Sequence, residues 1–128
     1  GRGRGRRFGE QLGVDVQRCY ADYRAMFEAE AGRPDGIRAV SIATPNNTHF
    51  EICKAALLSG LHVVCEKPLC FTTAEAKELL ELGLDVPESI RFQLRLEEKL
   101  GEPLGEPCLT VEELIDRICG RLERGKER

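Results

Sequence analysis

The hydrophobic pattern is sharpest over residues 39–77. Ala39-Val40-Ser41-Ile42-Ala43 is a short, apolar, partly β-branched run closed by Thr44-Pro45-Asn46-Asn47. Such a run predicts a strand covered on both faces. Pro45 cannot donate to a ladder, and the paired Asn favour a turn or a helix start. From Thr48 the period turns helical: Phe50, Cys53 and Leu57 share a face with Ala56 beside them. Gly60 is placed for the left-handed residue after the last turn. Leu61-His62-Val63-Val64-Cys65 is a second short buried strand, ended by Glu66-Lys67-Pro68. Strand, helix and strand with short links predict a right-handed βαβ unit and a parallel pair. The strands are expected near residues 38–43 and 61–65 and the helix over about 47–59, with Val40, Ile42, Phe50, Cys53, Leu57 and Val63 buried. Ligands of such sheets gather beyond the carboxyl ends of the strands. Residues 44–49 and 66–68 fall there, as neighbours.

Upstream, residues 1–7 read as a flexible basic arm, followed by a short helix over 6–12 that stops at Gly13. Gly1-x-Gly3 is no dinucleotide fingerprint, because that motif follows a buried strand and opens a helix. Residues 14–19 suit a short strand, and 21–31 an amphipathic helix capped by Asp22, with Tyr23, Met26 and Phe27 inward. Residues 32–36 form a turn cluster. Downstream, Thr72 and Glu75 fit a capping box for a helix running to about residue 82. Residues 83–128 read as all-helical. Asp85 and Glu88 with Pro87 signal one start, and Ile90, Phe92, Leu94, Leu96 and Leu100 supply its apolar positions up to Gly101. A Pro- and Gly-rich loop follows over 102–107. Thr110 and Glu113 cap a last helix bearing Val111, Leu114, Ile115, Ile118 and Leu122.

The run from Ala43 to Leu57 and that from Gly60 to Leu79, with Glu66-Lys67-Pro68 in place, resemble the Gfo/Idh/MocA oxidoreductases. These are NAD(P)-dependent sugar and cyclitol dehydrogenases. The resemblance extends from about Phe8 to Leu80 and implies an α/β fold: a partial Rossmann-like parallel sheet. It implies that Lys67 helps proton transfer while hydride passes to a nicotinamide. Glu66 would lie near the nicotinamide ribose, and Pro68 would follow a cis bond. Thr44, Pro45, Asn46, Asn47 and His49 match the family loop that cradles the cofactor, Asn47 or His49 touching its nicotinamide end. Without the resemblance, Lys67 and Glu66 are a surface pair at a strand end, and Asn46, Asn47 or Thr48 caps a helix over a solvated His49. His62 inside a strand, Tyr20 and Tyr23 read as structural. In the family an opening strand, a Gly-rich turn and a ribose-binding acidic residue lie upstream of the matching stretch, and a large antiparallel substrate domain lies downstream. Neither is among these residues. NAD or NADP is therefore the implied cofactor, with feeble binding and no turnover expected of this stretch alone. The tail has a partial likeness to the second half of an acyl carrier protein. Val86 stands where that protein's modified serine would be and Ser89 is out of position, so a working carrier is not expected.

Composition narrows this only slightly. A net charge of −3 gives no electrostatic case for nucleic acid, and no apolar run is long enough to span a bilayer. The six Cys include no Cys-x-x-Cys, and neither of the two His has a partner at zinc spacing, so no metal and no disulfide framework is expected. Reduced thiols suit the cytoplasm. The expected organisation is an arm over 1–7, a partial nucleotide-binding domain over 8–82 and a helical C-terminal extension over 83–128. Two functions remain open. One is a stretch of a dehydrogenase acting on a small sugar-like substrate. The other is a non-catalytic interaction module whose degenerate carrier-like tail binds a protein partner or a second copy.

Overall fold

The computed structural model describes residues 2–127. Its helices are α1 (Arg2–Gln11), α2 (Tyr23–Ala31), α3 (His49–Leu58), α4 (Thr73–Glu81), α5 (Glu88–Leu100) and α6 (Val111–Lys126); its strands are β1 (Ala39–Ile42) and β2 (His62–Cys65). The strands pair in parallel, Ala39 opposite His62 and Ile42 opposite Cys65, with α3 as the crossover. The fold is thus a small α/β unit with one parallel strand pair and a helical C-terminal part.

Phe27 of α2, Ile42 of β1, Ile52, Cys53 and Ala56 of α3 and Leu79 of α4 form the buried centre. Val40, Val63, Phe50 and Leu57 pack around it but are only partly buried. The expectation that both faces of the strands are covered does not hold. Val40, Ile42, Val63 and Cys65 turn toward α3, while Ala39, Ser41, His62 and Val64 face outward and Val64 is 69% exposed. Among the described residues no element lies over that second face, so its apolar side chains meet water.

Residues 2–7 are helical as part of α1, where the sequence predicts an arm; Gly1 lies outside the described residues. Gly9 lets α1 approach the next segment: a Cβ there would lie 2.3 Å from Cys19 Sγ. That segment is not the expected strand but a 3₁₀ turn, Val16–Arg18, capped by Asp15 accepting from the Gln17 N–H. The side chain of Asp22 caps α2 as predicted, and Thr72 with Glu75 makes both halves of the capping box on α4. Pro87, not Asp85, takes the N-cap of α5, and Asp85 pairs with Arg91 instead.

The helical part packs on the α/β unit. Cys70, Ala76, Val86 and Ile90 form a second buried cluster, against which Phe50 of α3 and Leu109 also pack. Val86 is thereby core, 5% exposed, and Ser89 is buried with its hydroxyl donated to Cys108 O at 2.8 Å. Neither position offers the free hydroxyl that a carrier protein modifies. Phe92 and Leu100, expected on the apolar side of α5, are 55% and 51% exposed. The helix turns Gln93 inward instead.

Candidate functional site

Because β1 and β2 are parallel and in register, both chains leave the sheet at the same end. The Glu66 N–H donates to Ile42 O at 3.0 Å, the last rung between them. Beyond it the two loops open outward, bringing residues 44–49 and 66–68 together as the strand–helix–strand pattern predicts.

The first loop is closed by local polar bonds. The Thr48 hydroxyl lies 2.7 Å from Thr44 Oγ1 and 2.6 Å from Pro45 O, and the Thr48 N–H donates to Pro45 O at 2.9 Å. Asn46–Thr48 form a 3₁₀ turn that runs into α3. No side chain caps either helical start, so the capping role expected for Asn46, Asn47 or Thr48 is not taken up. Thr44, Pro45, Asn46 and Asn47 are exposed at the carboxyl end of β1.

The second loop presents Glu66 and Lys67, both exposed, followed by Pro68 after a cis peptide bond. No ion pair joins Glu66 to Lys67 among the described residues. Lys67 borders a small cleft of about 170 Å³ between the end of β2 and the helical part, lined also by Leu84, Asp85, Pro87 and Leu109.

His49 departs from its expected position. It is 1% exposed, with Nδ1 2.7 Å from Pro68 O and Nε2 2.9 Å from Thr44 O. Both ring nitrogens face backbone carbonyls, and the ring is covered rather than open to solvent. Polarity at the first turn of a helix suggests a solvated ring; only the fold of the second loop over α3 buries it.

The nearby thiols are inert in this setting. Burial, with a hydrogen bond to Cys65, pushes the Cys53 thiol up to about 12, and burial pushes Cys70 up to about 11. All six cysteines are free. Among the described residues no group of three or more His, Cys, Asp or Glu is arranged to hold a metal, and no helix is long and apolar enough to cross a membrane. His62 is exposed at the start of β2, remote from the loops. Tyr20 donates its hydroxyl to Glu30 at 2.7 Å, and Tyr23 packs on the core.

The site therefore offers exposed amides and hydroxyls on one loop, an exposed ammonium and carboxylate on the other, and a buried imidazole beneath them. Comparisons with known proteins identify the relatives of this chain. Residues 1–84 match the GFO_IDH_MocA family, described as an oxidoreductase family with an NAD-binding Rossmann fold. The chain is 63% identical over 80 residues to the uncharacterized oxidoreductase YfiI of Bacillus subtilis, covering 62% of this chain and 20% of that one. It is 40% identical over 80 residues to levoglucosan dehydrogenase of Pseudarthrobacter phenanthrenivorans, covering 62% and 18%. Among solved structures it is similar to an inositol dehydrogenase homolog from Azotobacter vinelandii, complexed with NADH and myo-inositol. The TM-score is 0.62 at 72% identity, over 62% of this chain and 21% of that one. The chain thus spans about a fifth of the length of these relatives.

Proposed function

The chain belongs to the Gfo/Idh/MocA family of NAD-binding Rossmann-fold oxidoreductases, and on that premise we propose that it forms the nicotinamide side of a dehydrogenase site for a sugar-like or cyclitol substrate. The observation that carries this is the exposed Lys67 at the carboxyl end of β2, beside the exposed loop of Thr44, Pro45, Asn46 and Asn47 at the carboxyl end of β1. Strand-end loops of a parallel sheet are where such ligands bind.

The residues present fit one end of a dinucleotide. Asn46 and Asn47 have uncommitted capping potential and supply hydrogen bonds to a carboxamide or ribose; Glu66 accepts from ribose hydroxyls; Pro45 and Pro68 shape the two loops. A bound nicotinamide would supply the hydride acceptor. Lys67 takes up the proton of a substrate hydroxyl as its carbon gives up hydride, the ammonium form returning that proton to solvent or, in the reverse direction, to the nascent alkoxide. A grip on the pyrophosphate, which needs a Gly-rich helix start after a strand, is not found among these 128 residues. The cofactor is NAD or NADP. We place the nucleotide-binding part at residues 8–82, to which α1 contributes its start, and the helical extension at 83–128. Free thiols fit a cytoplasmic location.

The test is a titration of labelled chain with NADH and NADPH, followed by amide and side-chain shifts. Shifts confined to residues 44–47 and 66–68, saturating above about 100 μM, are expected. Shifts scattered elsewhere, or none at millimolar dinucleotide, would refute the assignment.

A second reading has its own observation. The face of α6 leaves Val111, Ile115 and Leu122 more than half exposed, and Leu122 borders an apolar groove of about 790 Å³ with Leu96, Leu100, Leu104 and Ile118. That favours an interaction module in which the tail docks a protein partner or a second copy. Light scattering at increasing concentration separates a self-associating chain from one that stays monomeric.

A further inference from the structure

His49 and His62 are the two imidazoles of the chain, and only His49 is inside the fold. Its two backbone partners lie on different loops: Thr44, five residues before it, and Pro68, nineteen residues after it. Both partners are carbonyl oxygens, which accept and never donate. Each contact is therefore a hydrogen bond only where the facing ring nitrogen carries a hydrogen. The Glu66–Ile42 rung is the last link within the sheet; the Thr44–His49–Pro68 bridge is the next one outward, at the level where the exposed side chains begin.

We infer that His49 is a positioning residue, a strut whose Nδ1 faces Pro68 O and whose Nε2 faces Thr44 O, and which fixes the separation between the Thr44–Asn47 side of the site and Lys67, whose neighbour Pro68 it holds. The inference rests on the dehydrogenase reading for its purpose, though not for its geometry. His49 touches neither cofactor nor substrate, because its ring is buried and both nitrogens face backbone carbonyls. A space-filling role would be served as well by Phe. The polar contacts would not be: an apolar ring leaves the Thr44 and Pro68 carbonyls facing a surface that cannot donate. Asn places its amide nitrogen near the position of Nδ1, and Gln near that of Nε2. His49→Asn therefore keeps the Pro68 bond, and His49→Gln the Thr44 bond.

The experiment uses the 128-residue chain without cofactor. In a nitrogen-15 spectrum a ring N–H proton of His49 should be visible and slow to exchange, while that of the exposed His62 exchanges with water. In His49→Phe, amide exchange at Thr48 and Glu66, whose N–H groups donate to Pro45 O and Ile42 O, should quicken about ten- to a hundredfold, with α5 and α6 unchanged. His49→Asn should restore protection at Glu66 only, and His49→Gln at Thr48 only. Unchanged exchange in His49→Phe, or a His49 ring with no slowly exchanging N–H in the native chain, overturns the strut. Should His49→Phe fail to fold, the native ring spectrum and the two amide variants decide. In a separate NADH titration, an absence of shifts at Asn46 and Lys67 with the His49 signals intact would sink the dehydrogenase reading and leave the strut standing.

Discussion

Arg18 holds the buried carboxylate of Glu30 at two points, Nε to Oε1 at 2.9 Å and Nη2 to Oε2. Tyr20 Oη adds a bond at 2.7 Å and the Ile37 N–H another at 3.1 Å. The carboxylate is 1% exposed at its side chain, and four donors explain how it is tolerated there. The pair ties the 3₁₀ turn and α2 to the approach of β1, and so sets where β1 enters the sheet. Gly36 belongs to the same closure: a Cβ there would lie 2.1 Å from Glu30 O.

The Arg18 bonds first, and then that of Tyr20, hold the Glu30 carboxyl at about 2, below its ordinary 4.5. The unfolded chain thus takes up a proton at higher pH than the folded one. The stabilisation is complete above about 4.5 and is lost as pH falls through about 2. Glu30→Gln should flatten that part of the stability profile and lower the neutral-pH unfolding midpoint, whereas Glu28→Gln, exposed on the same helix, should do neither. Identical acid profiles for the native chain and Glu30→Gln would show that another group carries the effect.

Gln93 is fully buried on α5 and pins the loop before α6. Its Oε1 accepts from the Cys108 N–H at 2.8 Å, and Nε2 donates to Gly105 O and Glu106 O at 3.3 and 3.1 Å. Gln93→Leu fills the volume but strands those backbone groups. It should destabilise by about 1–3 kcal/mol in denaturant unfolding, against about 0.5 kcal/mol or less for the exposed Arg95→Ala. A Leu variant as stable as the native chain would mean the loop finds other partners.

The thiols should separate by burial. Cys119 is exposed, Cys19 and Cys65 are intermediate, and Cys53, Cys70 and Cys108 are buried. Burial also raises Cys53, Cys70 and Cys108 above the ordinary thiol value, leaving little thiolate to react. Native alkylation followed by mass should modify Cys119 first and the three buried thiols last, and denatured chain without reductant should take up six labels. A labelled mass short by two would reveal a bridge.

These residues also show what local pattern conveys. The Thr72–Glu75 box spans one helical turn, so sequence spacing alone specifies it. The parallel pair follows from short apolar runs flanking a helix, and the placing of residues 44–49 beside 66–68 follows from the pair. Arg18 and Glu30 are different: nothing in their surroundings pairs them, and the 3₁₀ turn that aims Arg18 replaces an expected strand. Gln93 and His49 are polar residues turned inward because distant carbonyls and amides await them, a fact that hydrophobic periodicity does not encode. Val64 misleads in the opposite sense, since an apolar run reads as doubly covered whether or not an element lies over its second face.

Lys67 is exposed and makes no ion pair with the neighbouring Glu66, so stability gives no reason for its place at the end of β2. Lys67→Ala should change unfolding free energy by no more than about 0.5 kcal/mol. Chemistry is another matter. A dinucleotide is gripped chiefly through its pyrophosphate by backbone N–H groups at a helix start. Losing several charge-assisted contacts of about 1.5–3 kcal/mol each weakens affinity by orders of magnitude. With only the two strand-end loops proposed for the nicotinamide side present, neither the native stretch nor Lys67→Ala should form NADH from NAD and a polyol, followed by absorbance. NADH formation that depends on polyol and disappears in Lys67→Ala would show that these loops suffice, with Lys67 as the proton-transfer group. Micromolar NADH binding by calorimetry would likewise show that the loops hold the dinucleotide without a Gly-rich turn.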